Sequence, residues 1–469
     1  MNAPCRSTFT CGMMKRNAVR EGKGCDVAID SAGHAVVVGA GVSGLLAAHV
    51  LAGRFERVTV VERDAFADGA PAFRSGVPQS RHVHVLWSRG QAAVDALLPG
   101  AVTDLEAAGA TVVRAPDQMR WLSPARWFAD VPGAHYLSAS RELLESTLRR
   151  RVGDHPAIAW MTRHEVTALV PGRDGAAAVS GVRLRERGNG GQESTVHADL
   201  VVVATGRSSR TVRWLAELGH AVPTTERFDA HLGYSSRYYR RPAAEGPWKA
   251  MYVQGTPDVP RGGVIVPIEG GRWLVTLIGQ AEHQPPVEEK DWLAFAASLR
   301  TDELAEALTG LEPLSDAVAF RSTANEWTHF ERARRWPRGL LVVGDALCRF
   351  NPVYGHGMTV AATQAQAIAA RISALGPAEV PARAPELQKA VAKCARDAWA
   401  IATGEDSRYP DTDGPKPGRL GRMQQRYMSR VVAAANTDPV VCEAFFAVLS
   451  LNRRPESLLA PRIAARARR

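Results

Sequence analysis

The chain is 469 residues long, 45% hydrophobic and 23% charged, a length beyond one hydrophobic core and a composition that predicts a two- or three-domain globular protein. Its net charge of +10 is spread along the chain and concentrated at the ends, as in "RIAARARR"; without a basic-aromatic or finger motif this argues against nucleic-acid binding and for an anionic cofactor plus a solvated basic surface. The 6 cysteines are scattered with no CxxC spacing, which supports neither a zinc site nor a disulfide framework, and no apolar stretch reaches the roughly 18–20 residues that span a bilayer.

Residues 1–33 are basic in places but lack a continuous apolar segment, so they read as a disordered tail and not as a secretory signal; a cytoplasmic location is the default. From His34 the order is strand ("HAVVVGAG"), helix ("VSGLLAAHVLAGRF") and strand ("RVTVVER"). Short continuous apolar runs alternating with helices predict a parallel sheet. A Gly/Pro-rich loop follows, then a helix over "VHVLWSRGQAAVDALL", short aromatic strands between 109 and 136, a helix in "SRELLESTLRRRV" and a buried strand in "ADLVVVATGRSSR". Residues 221–336 look like antiparallel sheet, with "GGVIVPIEGGRWLVTLIG" forming a hairpin around Glu-Gly-Gly. The buried strand "GLLVVGD" then returns to the first style, followed by the helix "MTVAATQAQAIAARI" and a mostly helical remainder.

The fold class is therefore α/β, a Rossmann-like domain with a discontinuous parallel sheet, a β-sheet insertion and C-terminal helices. Residues 34–108, 137–220 and 336–375 are assigned to cofactor binding, 109–136 and 221–335 to a β-rich substrate domain, and 376–469 to a helical region.

Gly39, Gly41 and Gly44 form G-x-G-x-x-G directly after a strand, and Glu62 closes the next strand about twenty residues on. Gly39 permits the tight turn, Gly41 lets backbone approach a pyrophosphate, and Gly44 lets helix and strand pack closely. The helix N-terminus offers amides to the phosphates, and the Glu62 carboxylate can accept from ribose hydroxyls. Taken alone, this pattern does not separate FAD from NAD.

The stretch "GDALCRFNPVYGHGM" from Gly344 makes that distinction. It resembles the second fingerprint of flavoprotein monooxygenases, in which Gly-Asp precedes a Pro and a Gly-x-Gly turn. The resemblance implies that Asp345 holds the ribityl chain of FAD. It also implies that Gly355, His356 and Gly357 bring backbone amides to the N1 edge of the isoalloxazine, with Pro352 and Met358 beside them. Arg63, Arg74, His82 and Arg141 join the cofactor set on the same grounds. Over most of the chain the match is to bacterial FAD-dependent epoxidases of polyether and related polyketide pathways, through "GVPQSRHVHVLWSRG", "ADLVVVATGRSSR", "FNPVYGHGM" and "DAWAIATGEDSRYP". These are distantly like squalene epoxidase, with a p-hydroxybenzoate-hydroxylase-type fold.

That resemblance implies a monooxygenase that epoxidises an alkene of a lipophilic polyketide or isoprenoid-like intermediate with O2, through a C4a-hydroperoxyflavin. Such transfer asks the protein to keep the site dry and the alkene close, which agrees with the lack of an evident acid–base constellation. Trp121, Tyr238, Trp248, Tyr252 and Trp273 are candidate substrate contacts. Ring hydroxylation on the same scaffold, a flavin-dependent alkene reductase, and a redox-silent flavin-binding protein are the alternatives. The related hydroxylases carry Asp-Gly where this chain has Thr205-Gly206, which puts direct reduction by NAD(P)H in doubt and favours a separate flavin reductase. His82 and His84 lack a ligand cluster for a metal, and Ser208 and Ser209 lack the G-x-S-x-G elbow of a hydrolase. The W-x-W-x-I-P stretch of flavin halogenases is absent.

Overall fold

His34–Val38 is buried along its whole length and is followed by the helix Val42–Ala52 and the strand Arg57–Glu62. A computed structural model describes residues 33–66, 71–173, 175–188, 191–244 and 246–468; the tail expected over 1–33 lies outside them apart from Gly33. His34–Val38 is the middle strand of a five-stranded parallel sheet, between Leu200–Val203 and Arg57–Glu62, with Leu340–Val342 and Ile158–Thr162 at the edges. Helices cover such a sheet, so its inner strands carry apolar side chains toward both faces. The helix Val42–Ala52 packs against Gly357–Ile372, and the first residues of both helices line one cavity.

A six-stranded sheet contains Val318–Phe320, Leu232–Arg240, Arg272–Gln280, Arg261–Ile268, Ala250–Val253 and Met119–Leu122, in that order. The expected hairpin is present, with Val264 opposite Thr276 and Ile268 opposite Arg272. Two helices, Glu289–Ala297 and Glu303–Leu308, interrupt the span read as antiparallel sheet. Their Trp292 and Leu304 are buried in the same cluster as Val275 and Leu277, so they cover one face of this sheet.

The helix expected over "VHVLWSRGQAAVDALL" is divided. Val85–Trp87 is a strand paired with Tyr136–Ser138, and the helix begins at Ser88. β-Branched and aromatic side chains find cross-strand partners here, and that packing overrides the helical pattern. A three-stranded antiparallel sheet of His164–Gly172, Gly175–Glu186 and Glu193–His197 has no counterpart in the sequence reading. The C-terminal region is helical, with Ala384–Asp406, Arg419–Ala435 and Pro439–Leu449 its longest elements. Among the described residues no helix is long and apolar enough to cross a membrane.

Candidate active site

Gly39 has φ +101°, and a Cβ there would lie 2.6 Å from the Ala204 carbonyl oxygen. A Cβ on Gly44 would overlap the Gly39 carbonyl oxygen, so Gly44 serves helix–strand packing. Gly41 is the N-cap of Val42–Ala52; no side chain caps that helix and no acidic residue stands in its first turn. Its leading amides are therefore open to an anion. The Glu62 carboxylate accepts from the Ala40 amide at 2.8 Å and the Asp64 amide at 3.1 Å, which aims it back at the glycine turn and leaves lone pairs for a hydroxyl donor.

Arg74 is buried among carboxylates, 3.4 Å from Glu62 and 4.0 Å from Asp64, and it is bonded to Glu145. Glu145 also receives Arg141 Nε at 2.8 Å, the i, i+4 pair of the helix Arg141–Gly153. Burial opposes the charge on Glu145, yet Arg141 and Arg74 hold its carboxyl below the usual range. Both arginines line the cavity. Arg74 stands beside Glu62 of the first fingerprint. Glu145 is a residue the sequence reading missed, although its spacing from Arg141 was a usable signal. Arg63 lines the mouth and donates to the Gly76 carbonyl at 3.1 Å.

The second fingerprint folds as the strand Leu340–Val342, a turn through Asp345, and the helix Gly357–Ile372. Gly344 does not itself line the cavity; with φ +61° its missing Cβ makes room for Ser43, which does. Asp345, Pro352, Gly355, His356, Gly357 and Met358 all line the cavity. The His356 ring bonds the Leu449 carbonyl through Nε2 at 2.8 Å; because only a protonated nitrogen can donate to a carbonyl, Nδ1 carries the lone pair. Burial lowers its pKa to about 4.

Both fingerprints open into one cavity of about 630 Å³, within the range of small-molecule sites. Its far wall is apolar and aromatic, formed by Trp121, Tyr136, Tyr252, Val266, Ile278 and Phe320. His82 lies in this wall with Nδ1 2.7 Å from Ser236 Oγ, which in turn is 2.6 Å from Thr276 Oγ1. Burial, with Arg81 and Arg321 nearby, lowers its pKa to about 4.

Of the proposed substrate contacts, Trp121 and Tyr252 line the cavity, and Tyr238, Trp248 and Trp273 do not. Successive residues of a strand face opposite sides of its sheet. Thr276 and Ile278 face the cavity, so Trp273 belongs to the opposite face, where it stacks on Trp248 at 5.4 Å beneath the covering helices. Tyr238 lies farther along its strand, under the Arg272 guanidinium. The sequence reading also missed Tyr354, Arg207 and Asp406. Tyr234 and Tyr354 line the cavity, Arg207 is 3.6 Å from Asp345, and Asp406 is a buried carboxylate bonded to Tyr354.

These groups fit FAD. An uncapped helix start beside a glycine cradle suits a pyrophosphate, Glu62 suits the adenosine ribose, and Asp345 suits the ribityl hydroxyls. The turn from Pro352 to Gly357 provides backbone and an open helix start for the ring end.

The comparisons agree with FAD as the cofactor. The model of the FAD binding domain family matches residues 33–403. The Mycobacterium tuberculosis protein Rv3254 is 32% identical over 89% of this chain and 89% of its own length. The 6-methylpretetramide 4-monooxygenase of Streptomyces rimosus is 29% identical over 71% of this chain and 73% of its own. The flavin-dependent brominase Bmp2 superposes with a TM-score of 0.65 over 93% of this chain and 97% of its own, at 15% identity, a likeness of fold alone. The chain belongs to the FAD-binding-domain family of flavin-dependent monooxygenases.

Proposed function

We propose that the protein inserts one oxygen atom from O2 into a lipophilic natural-product intermediate, by epoxidation of an alkene. When bound, FAD supplies the reducing electrons and the activated oxygen. The observation that carries this reading is the single cavity with fingerprint glycines at one end and an aromatic, apolar wall at the other. The residues 34–108, 137–220 and 336–375 serve the cofactor, and 109–136 with 221–335 serve the substrate.

In this reading Trp121, Tyr252 and Ile278 hold the alkene by apolar contact and exclude water. Among the described residues of that apolar wall there is no carboxylate. His82 and His356 are neutral at pH 7, each with one nitrogen engaged. Burial raises the pKa of Tyr234 and Tyr252 and keeps both protonated. Ionisation of a phenol calls for a base, whereas an alkene needs none. Electrons come from NAD(P)H through a separate flavin reductase, a reading supported by Thr205-Gly206 in place of Asp-Gly.

A second reading, hydroxylation of an aromatic polyketide ring, is favoured by the likeness to 6-methylpretetramide 4-monooxygenase. Product analysis after turnover on lipophilic alkenes and polycyclic phenols separates the two. Epoxide or diol is the expected product, and phenolic product alone would overturn the epoxidase reading. The same assay run with and without a flavin reductase tests the electron source.

A further inference from the structure

Asp406 ends the helix Ala384–Asp406 and is 1% exposed. A carboxylate here is opposed by burial, by the negative end of the helix dipole and by the adjacent Glu405. Its hydrogen-bond partners are all uncharged. Oδ1 receives Tyr354 OH at 2.6 Å and Oδ2 receives Asn325 Nδ2 at 2.6 Å, while Asn351 Nδ2 lies 3.2 Å from both oxygens.

The orientation of both amides is forced. Asn351 Oδ1 accepts from the Val353 backbone amide at 3.2 Å, and Asn325 Oδ1 accepts from the Asn351 backbone amide at 2.7 Å. A backbone N–H can only donate, so both side-chain NH2 groups must face Asp406. Tyr234 OH donates to the same Asn351 oxygen at 2.7 Å. Asp406 is thus the common acceptor of a network that reaches the cavity through Asn351, Tyr354 and Tyr234. Asn351 and Tyr354 belong to the turn that leads to Gly355 and the start of the helix Gly357–Ile372.

We infer that Asp406 is a positioning residue: its ionised carboxylate fixes Asn351 and Tyr354, and through them the turn on which the ring end of the cofactor rests. This rests on the FAD reading of the cavity. With both amides fixed as donors, the ionised carboxylate accepts from the two of them and from Tyr354 OH at once. Protonation would reverse the Tyr354 bond, since that hydroxyl can also accept, and would remove the charge that strengthens the two amide bonds. The titratable groups around it are Tyr354 on the turn, Glu405 on its own helix, Tyr409 just beyond the helix, and Tyr234 through Asn351. Burial keeps the three tyrosines protonated. Asp406 is therefore the group that changes state in mildly acid solution, with its pKa raised to about 6 by burial.

The test uses the full chain with Asp406→Asn and, separately, Tyr354→Phe. Each apoprotein is titrated with FAD by flavin fluorescence, its thermal unfolding is recorded, and the bound-flavin absorption spectrum is followed between about pH 5 and 8. Asp406→Asn is expected to weaken FAD binding on the order of ten-fold, the loss of roughly one hydrogen bond to a charged group, and Tyr354→Phe by several-fold. Both apoproteins should melt within a few degrees of wild type. The wild-type spectrum should shift once near pH 6, and the Asp406→Asn spectrum should not. Wild-type affinity in both variants overturns the inference, as does a pH shift that survives in Asp406→Asn. A loss of affinity matched by a loss of apoprotein stability also overturns it, since Asp406 would then be structural only. If the wild-type apoprotein takes up no FAD, the cofactor reading itself fails, which is a separate result.

Discussion

Arg207 Nε lies 3.6 Å from Asp345 Oδ2, joining the loop after Leu200–Val203 to the loop after Leu340–Val342. Arg207 is fixed on its other side by the Phe350 carbonyl, at 2.7 Å. It follows the Thr205-Gly206 pair, so a cation stands next to Asp345 two residues beyond the position where related hydroxylases carry a carboxylate. The pair orients Asp345 while leaving it at the cavity wall. Asp345→Ala should fold, with unfolding close to wild type, and purify largely colourless; the FAD-to-protein ratio checks this. Full flavin occupancy in that variant would contradict the ribityl assignment.

Glu62 acts at the other end of the cavity. Glu62→Gln keeps the shape but removes the charge that the Ala40 amide and Arg74 share. FAD binding should weaken by about 1.5–3 kcal/mol, the range for a hydrogen bond to a charged group. Arg74 retains Glu145, so the stability change should be smaller than the binding change. Titrating both apoproteins with FAD and comparing their unfolding midpoints measures the two effects separately.

Gly44→Ala should be far more damaging than either. The added Cβ would overlap backbone, not the end of a flexible side chain, so the helix Val42–Ala52 must move off its strand. A loss of about 3 kcal/mol or more is expected, read as a lower unfolding midpoint and poor flavin retention. A variant as stable as wild type would mean that helix and strand are less closely packed than described.

The first fingerprint and its strands were legible because glycine chemistry and short apolar runs are local signals. The second fingerprint was legible for the same reason. Trp248 and Trp273 were not, because alternation along a strand says which residues share a face and not which face meets a cavity. Both faces of the six-stranded sheet are covered, one by the cavity and one by the helix Glu289–Ala297. Asp406 was quoted within a helical stretch yet carried no local mark. Its role depends on Asn325 and Asn351, 81 and 55 residues away. Val85–Trp87 became a strand for a comparable reason, since its partner strand Ala134–Ser138 lies far along the chain.

The two faces of that sheet make separable predictions. Trp121→Ala should enlarge the cavity and raise KM for a bulky substrate, because Trp121 lines the wall. Trp273→Ala should cost about 3–5 kcal/mol of stability, as for other buried tryptophans, and leave substrate discrimination unchanged in the protein that remains folded. Steady-state kinetics across substrates of graded size, together with chemical unfolding, distinguishes them.

Stability should fall in mild acid. His82 and His356 are buried and neutral, with pKa values lowered to about 4 from 6.5. The unfolded chain therefore binds protons that the folded one refuses. Their contribution is complete above pH 6.5 and is lost as pH falls toward 4. Each histidine accounts for up to roughly 3 kcal/mol. The raised pKa of Asp406 acts in the opposite sense, since its ionisation costs stability as pH rises through about 6. Melting curves between those limits should show a falling midpoint with falling pH, less steep in His82→Asn and steeper in Asp406→Asn.

The most direct test of the monooxygenase assignment is isotopic. Protein reconstituted with FAD and chemically reduced is mixed with heavy-isotope O2 and a lipophilic alkene, and the product is weighed by mass spectrometry. One labelled oxygen atom per product molecule, present as an epoxide or its diol, is the predicted result. Product that carries no label, or substrate reduced without consumption of O2, would contradict the account.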